Sequence, residues 1–186
     1  MQRDSENLIF LDECGFSNHT LRTYGYSRVG TGAFVDVKAN RGRNASLMCA
    51  IGIDGVIASE VKEGSFNADS FDSFIRAYLI DYFRENPGKC LLMDNVAFHH
   101  KKTIVSLLCE SGIEVIFLPA YSPQLNPIEE FFAMFKSRYR RTKDRKETAR
   151  SCVEKLLKVD YSDKCPGFFS HMKDWLEKAL KHVAFY

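Results

Sequence analysis

Two short apolar runs, each followed at once by an aspartate, constrain the fold of this chain more than any other feature. Residues 8–11 are all apolar and precede Asp12, and residues 91–93 are all apolar and precede Asp94. Apolar runs of this length without alternation are typical of strands that are buried on both faces of a sheet. A carboxylate at the end of a buried strand is costly unless its charge is compensated. We therefore expect a cation where the two strands end.

A third carboxylate, Glu129, lies near the start of a predicted helix. Asn126 fits the N-cap position and Pro127 the first helical position. A glutamate three residues after the cap often reaches back to it, and this explains Glu129 without a metal. The helical wheel leaves a second interpretation open, in which Glu129 leans toward the aspartates at the strand ends and binds a metal. Glu129 falls at the border of the apolar stripe, whereas Glu130 points nearly opposite. The stripe consists of Ile128, Phe131, Phe132, Phe135 and Tyr139.

The order of apolar segments predicts an α/β fold with one five-stranded mixed sheet flanked by helices. The strands are expected at residues 7–12, 46–53, 56–62, 89–94 and 113–118. Asp54-Gly55 is typical of a two-residue hairpin turn, so the first three strands should form an antiparallel meander. The last two strands follow crossover helices and should run parallel to the first. Ligands gather at the carboxyl ends of such strands, where Asp12 and Asp94 are expected.

Helical periodicity indicates the segments that cover this sheet. Asn67 should cap a helix that ends at Pro87-Gly88, and a second helix from His100 should end at Gly112. The inward positions expected in the first of these helices are Phe71, Phe74, Ile75, Tyr78, Leu79 and Tyr82. The tail, residues 147–186, is predicted to add two helices, the second beginning at Pro166-Gly167. The inner stripe expected for that last helix is Phe168, Phe169, Met172, Leu176 and Leu180, with Trp175 alongside.

Length and composition indicate a single domain spanning residues 1–186, with a core at about 7–145. The chain has 186 residues, of which 45% are hydrophobic and 27% charged, which are ordinary globular values. No apolar stretch approaches the roughly 20 residues that cross a bilayer, and the polar N-terminus does not resemble a signal peptide. Six scattered cysteines form no C-x-x-C pair. Buried free thiols are the favoured state, with disulfides or a zinc site as alternatives.

Positive charge is concentrated in one segment, although the net charge is only +2. Between residues 136 and 146, seven basic residues accompany a single acid, Asp144. The run is either a solvated helix face or a track that contacts DNA phosphates. Its basic residues are Lys136, Arg138, Arg140, Arg141, Lys143, Arg145 and Lys146. A Gly-rich polar segment at residues 17–44 is also too long for a plain connection, so we expect it to carry function.

The three carboxylates form an all-oxygen ligand set, which suits Mg²⁺ or Mn²⁺. Two such ions hold a phosphodiester, activate a water or a 3′-hydroxyl, and stabilise the leaving oxygen. Asp12, on a central strand, would bridge the ions, with Asp94 and Glu129 at either side. Asn95 would orient Asp94. His99 either positions a phosphate or proton, or is simply a polar residue at the start of a helix.

Three sequence phrases resemble the catalytic domain of Tc1/mariner and IS630-type DDE transposases. They are residues 11–16, residues 93–95 and the long phrase at residues 118–129. Thirty-four residues separate Asp94 from Glu129, the spacing of the Tc1-like branch with a final glutamate. The resemblance covers about residues 7–145. It departs from the family where Phe131-Phe132 replace a tryptophan.

The resemblance implies an RNase H-like fold, a metal triad of Asp12, Asp94 and Glu129, and a cut-and-paste reaction. The enzyme would hydrolyse DNA at transposon ends and join the 3′-hydroxyl to target DNA, commonly at TA. A homodimer, no organic cofactor and no membrane partner are expected. Residues 24–43 would correspond to an insertion that touches DNA or a partner subunit. The expected DNA contacts are Arg22, Arg28, Lys38, Arg41, Arg43, Lys136, Arg138, Arg140, Arg141 and Lys143.

Two alternatives to an active transposase domain are open. The family places helix-turn-helix domains before the first aspartate, whereas eleven residues precede Asp12, so those domains are expected to be absent. A non-catalytic descendant that binds DNA or protein is therefore one alternative, and a general nuclease of the same fold is the other. The nucleus is the expected location in a eukaryotic host and the nucleoid in a bacterial one.

Overall fold

One five-stranded mixed sheet forms the centre of the computed structural model, which describes residues 4–18, 25–34, 43–95, 102–144 and 146–181. Its strands are β1 (Leu8–Phe16), β2 (Ala45–Gly52), β3 (Gly55–Glu63), β4 (Cys90–Met93) and β5 (Glu114–Phe117). Their spatial order is β3-β2-β1-β4-β5. The first three strands pair antiparallel, β4 is parallel to β1, and β5 is parallel to β4. The predicted meander with two parallel strands is confirmed.

β1 continues four residues beyond Asp12, which corrects the prediction that the strand ends there. Its ladder with β4 stops at Leu11, whereas its ladder with β2 runs on to Phe16. Cys14 and Phe16 are buried, and they continue the apolar alternation of β1 on one face of the sheet. Asp12 therefore lies within a strand, although it stands just past the end of the parallel ladder.

The hairpin between β2 and β3 closes one residue earlier than predicted. Gly52 pairs with Gly55, so Ile53 and Asp54 form the two-residue loop. Gly55 has a φ of 129°, a conformation that glycine adopts without a steric penalty. This glycine opens β3 instead of completing the turn.

Alternation along the strands divides the interior into two cores, one on each face of the sheet. Phe10, Cys14 and Phe16 of β1 belong to the first core. That core is covered by α4 (Pro127–Thr142), α5 (Ala149–Leu156) and α6 (Cys165–Leu180). Ile9 and Leu11 belong to the second core, which is covered by α1 (Ala68–Phe74), α2 (Ile80–Glu85) and α3 (Lys102–Glu110). The predicted stripe of α4 is buried at every position.

The segment from α1 to α2 corrects one predicted contact. Asn67 caps α1 through a capping box with Ser70, as predicted for the cap. A π-helical turn at Ile75–Leu79 then separates α1 from α2. Because a π turn holds more residues than an α turn, it changes the phase of the side chains. Leu79 is fully buried, whereas Tyr78 is 45% exposed, so its predicted inward position is wrong.

The last helix, α6, packs on the sheet only through its first half. Phe169 and Met172 are buried in the first core, and the Phe169 ring meets Phe10 edge-on at 5.5 Å. Leu176 is 42% exposed and Leu180 is 72% exposed, so the predicted inner stripe does not reach the helix end. Sixteen residues of helix span roughly 24 Å, and the C-terminal turns extend past the core.

Two further predictions concern thiols and membranes. All six cysteines are free, and five of them are buried while Cys109 is exposed. Within the described ranges, no helix is both long and apolar enough to cross a membrane.

Candidate metal centre

Strand pairing places Asp12 and Asp94 side by side. Leu11 pairs with Met93 at the last step of the parallel ladder, and the two aspartates are the next residues of their chains. Alternation directs Asp12 to the face of the sheet that α4 covers. Glu13 falls on the opposite face, as the sequence predicts.

The buried carboxylate of Asp12, 8% exposed, receives two hydrogen bonds. Its Oδ1 accepts from the Glu13 backbone N–H at 2.7 Å, and its Oδ2 accepts from Asn126 Nδ2 at 3.1 Å. Asn126 occupies the predicted N-cap position of α4, yet its side chain makes no capping hydrogen bond. Its backbone carbonyl accepts from the Glu129 N–H at 3.0 Å. The capping-box explanation of Glu129 therefore lacks its cap side chain, which bonds to Asp12 instead.

The electrostatics of Asp12 link it to the other two predicted ligands. Its pKa is raised from 3.8 to about 7. Burial is the largest cause, the charges of Asp94 and Glu129 act in the same direction, and the Glu13 N–H opposes them. The Oδ1 atom of Asn126 is also buried, with no hydrogen-bond partner among the described residues. A buried acceptor without a donor is uncommon, and together these features fit a site that a bound group completes.

The three carboxylates are electrostatic neighbours without forming a closed ligand cluster. Asp94 directly follows β4, and Glu129 is exposed in the first turn of α4. Across the described ranges, no three His, Cys, Asp or Glu side chains are grouped closely enough to hold one metal ion. Three carboxylates repel each other when no cation is near. The triad stays a prediction, and its oxygen-only donor set suits Mg²⁺ or Mn²⁺.

One lysine of the basic run lies close to this centre. Burial raises the pKa of the Cys14 thiol to about 12, and the charge of Lys136 opposes that shift. Lys136 therefore acts electrostatically on Cys14, which follows Asp12 by two residues on β1. Lys136 is half-buried on α4.

The rest of the basic run divides into structural and solvent-facing residues. The Arg138 guanidinium lies over the Tyr161 ring at 5.1 Å. Lys143 Nζ donates to the Glu147 carbonyl at 3.0 Å, just past the end of α4. Arg140 and Arg141 are exposed. The basic run therefore contains at least two kinds of residue, and the DNA contacts predicted within it stay predictions.

The remaining predicted site residues lie partly outside the described residues. Arg22, Lys38, Arg41 and His99 fall outside the described ranges, as does His100, where the second helix was expected to start. Arg28 and Asn95 are exposed. Arg43 pairs with Glu63 at 3.4 Å and lines an open cleft of about 720 Å³ beside the ends of β1 and β2.

Sequence reasoning missed one side chain of this centre. It assigned Asn126 to the helix cap alone, whereas the structure bonds it to Asp12. No pattern in the sequence separates these two roles, because both need a short polar side chain at the same position.

Comparisons with known proteins agree with this geometry. A family model described as DDE superfamily endonuclease matches residues 7–150. A search of curated protein sequences gave no match. Among solved structures, a pre-cleavage Mos1 transpososome has a TM-score of 0.72 at 19% identity, covering 97% of this chain and 57% of the other. A Mos1 transposase paired-end complex with the left transposon end has a TM-score of 0.59 at 23% identity, covering 91% and 56%.

A third structure, a Mos1 mariner paired-end complex with Mn, has a TM-score of 0.55 at 22% identity and covers 90% of this chain and 56% of the other. At these identities the likeness concerns the fold, and it confirms the predicted RNase H-like class. The chain spans a little over half the length of each of these solved chains.

Proposed function

This chain belongs to the family of DDE superfamily endonucleases, and we propose that it is the catalytic domain of a Tc1/mariner-type transposase. In this role it hydrolyses DNA strands at transposon ends and joins the freed 3′-hydroxyl to target DNA. The observation that carries the proposal is Asp12, a buried carboxylate whose pKa is raised to about 7 by burial and by the charges of Asp94 and Glu129. Groups with pKa values shifted in this way cluster at functional sites.

Asp12, Asp94 and Glu129 are the residues that would hold two Mg²⁺ or Mn²⁺ ions. Such ions, when bound, activate a water or hydroxyl and stabilise the leaving oxygen of a phosphodiester. The chain itself fixes the orientation of Asp12 through the Asn126 and Glu13 donors. In the proposal Asn95 orients Asp94, and His99 positions a phosphate or a proton.

The solved relatives support DNA and divalent metals as the partners. Their descriptions name a transpososome, a strand transfer complex, a complex with the left transposon end, and complexes with Mn and with Mg. For this chain we propose double-stranded DNA as substrate, a TA dinucleotide as target, and a homodimer that holds two ends together. The compartment would be the nucleus of a eukaryote or the nucleoid of a bacterium.

A nicking and strand-transfer assay tests the proposal. DNA carrying candidate terminal repeats is incubated with the protein, with and without Mn²⁺ or Mg²⁺. Asp94→Asn should lower nicking by at least roughly a hundred-fold, because even the outer-shell partners of metal ligands are worth 10- to 100-fold. Asp81→Asn is the matched control, since Asp81 is an exposed aspartate on α2, on the other face of the sheet. Circular dichroism checks that both variants fold.

The possible outcomes distinguish the proposal from its alternatives. Equal nicking by the wild type and Asp94→Asn would refute the metal triad. DNA binding that needs no metal, without nicking by either protein, would indicate a non-catalytic descendant. Cleavage of RNA–DNA hybrids without any strand-transfer product would indicate a general nuclease of the same fold.

Three basic residues of α4, of which Arg140 and Arg141 are exposed and Lys136 is half-buried, give a second, independent readout. If Lys136, Arg140 and Arg141 each neutralise one phosphate, DNA affinity should fall by about forty-fold for a fourfold rise in salt. A flat response to salt would show that this face of α4 does not contact DNA.

A further inference from the structure

Tyr121 combines two unfavourable features, a left-handed backbone and a fully exposed aromatic side chain. Its φ is 58°, and it is the one residue other than glycine with a positive φ among those the structure describes. Its side chain is 100% exposed, so it gains nothing from burial in the core. Left-handed backbone is sterically costly for a residue that carries a Cβ atom. Residues strained in this way cluster at functional sites and ligand clamps.

Hydrogen bonds tie the loop of Tyr121 to the candidate metal centre at both ends. On one side, the Leu118 N–H donates to the Met93 carbonyl at 2.8 Å, directly before Asp94. On the other side, a 3₁₀ turn at Pro123–Leu125 leads to Asn126, whose side chain bonds to Asp12. The Tyr121 ring is therefore presented to solvent from a loop that joins the neighbours of two predicted metal ligands.

Other exposed aromatic residues lack this combination. Tyr26 and Phe34 are as exposed as Tyr121, but they lie in residues 25–34, where no described residue other than glycine has a positive φ. Tyr78 is 45% exposed, and its ring lies 5.1 Å from that of Phe74, on the opposite face of the sheet. Strain, full exposure and attachment to the metal centre coincide at Tyr121 alone among these residues.

We propose that Tyr121 is a substrate-binding residue whose ring stacks on a nucleotide next to the scissile phosphate. This inference rests on the proposed function, because it requires DNA at the metal centre. Stacking on an aromatic ring is tolerant of base identity, since every base has a π-face. The strained backbone holds the ring outside the protein before DNA arrives, so little ordering is needed on binding.

Three substitutions of Tyr121 test the inference, together with one control. Tyr121→Phe keeps the ring, whereas Tyr121→Ala and Tyr121→Gly remove it. Tyr121→Gly also relieves the positive φ, so its thermal midpoint should equal or exceed that of the wild type, which separates lost binding from lost folding. Tyr78→Ala is the control for removal of an exposed tyrosine away from the centre.

The probe is a short DNA duplex with a single-stranded 3′ overhang that carries 2-aminopurine, titrated with protein in Ca²⁺. Stacking should quench the 2-aminopurine fluorescence with the wild type and with Tyr121→Phe. Tyr121→Ala and Tyr121→Gly should abolish the quenching and weaken binding by roughly 5- to 150-fold, the range that alanine substitution of base-stacking residues produces. Nicking of the unlabelled duplex in Mn²⁺ is measured in parallel for all variants.

Failure of the inference and failure of the proposed function give different results. If the wild type nicks DNA and all Tyr121 variants bind, quench and nick like it, the stacking role is overturned while the proposed function stands. If the wild type neither binds nor nicks DNA, the proposed function is overturned, and the inference with it. If Tyr121→Phe loses as much affinity as Tyr121→Ala, the hydroxyl and not the ring is responsible, which also overturns the stacking role.

Discussion

The raised pKa of Asp12 makes a specific prediction for stability in the absence of metal. An acid whose pKa is higher in the folded state than in the unfolded state lowers stability between the two pKa values, because the unfolded state releases its proton first. For Asp12 this loss begins near pH 4, the unfolded value, and is complete above about pH 7, the folded value. Below pH 4 the carboxyl is protonated in both states and costs nothing through ionisation.

The size of the effect follows from the shift. The rise from 3.8 to about 7 is roughly three pKa units at about 1.4 kcal/mol each, so ionised Asp12 costs on the order of 4 kcal/mol. Asp12→Asn removes the charge and keeps an acceptor for the Glu13 N–H, while Asn126 can rotate its amide to accept from the new side chain. The variant should therefore exceed the wild type by about 4 kcal/mol at pH 8 and match it near pH 4.

Urea unfolding with EDTA at pH 4, 5, 6, 7 and 8 measures this difference. Both proteins contain the same histidines, so the contribution of histidine titration cancels from the difference in unfolding free energy between them. Asp174→Asn, which removes an exposed aspartate of α6, is the control for loss of a carboxylate away from the centre. A difference for Asp12→Asn that is constant across pH, or an Asp12→Asn protein that is less stable than the wild type at pH 8, would refute the reasoning.

Metal should reduce the stability difference between Asp12→Asn and the wild type. Mn²⁺ that binds the folded wild type stabilises it by mass action, and Asp12→Asn should gain much less. At pH 8 the advantage of the variant should therefore shrink as Mn²⁺ is added. An equal gain in both proteins would place the ion elsewhere.

Three further predictions concern the surroundings of this centre. Asn126→Ala should lower the free energy of unfolding at pH 8 by about 1–3 kcal/mol, since it removes a donor to a buried carboxylate; an unchanged urea midpoint would contradict that hydrogen bond. Phe135→Ala should lower the free energy of unfolding by about 3–5 kcal/mol, and Leu180→Ala by no more than about 0.5 kcal/mol. Equal losses would contradict the position of the C-terminal turns of α6 outside the core. Arg140→Gln should reduce the salt slope of DNA affinity by about 1, whereas Arg138→Gln, which loses a cation–π contact, should lower the thermal midpoint.

The parts of the fold that sequence reasoning predicts correctly are those where local pattern and packing agree. The buried stripe of α4 follows its helical period at every position, and the cap at Asn67 uses the residue types that helix starts prefer. The directions of the strands follow from the hairpin and the crossover helices. In these places, the residues that favour the local structure are also the residues that tertiary packing requires there.

The errors come from features with no local signal. The π turn at Ile75–Leu79 shifts Tyr78 outward, although the apolar spacing alone favours a regular helix. β1 runs past Asp12 because β2 supplies partners for its backbone, and the polar residue Glu13 hides that continuation. The outer half of α6 keeps a helical apolar spacing although the core beneath it has ended. Each case depends on tertiary structure that periodicity does not contain.

The continuation of β1 beyond Asp12 gives the three acidic groups unequal freedom. Asp12 is braced by paired backbone before and after it, whereas Asp94 and Glu129 stand at the ends of their elements. The proposed reaction has two steps, hydrolysis of a phosphodiester by water and attack of a 3′-hydroxyl on target DNA. The site must therefore accommodate a different phosphate group in each step. Asp12 would therefore give the site a fixed reference position within the sheet during both steps.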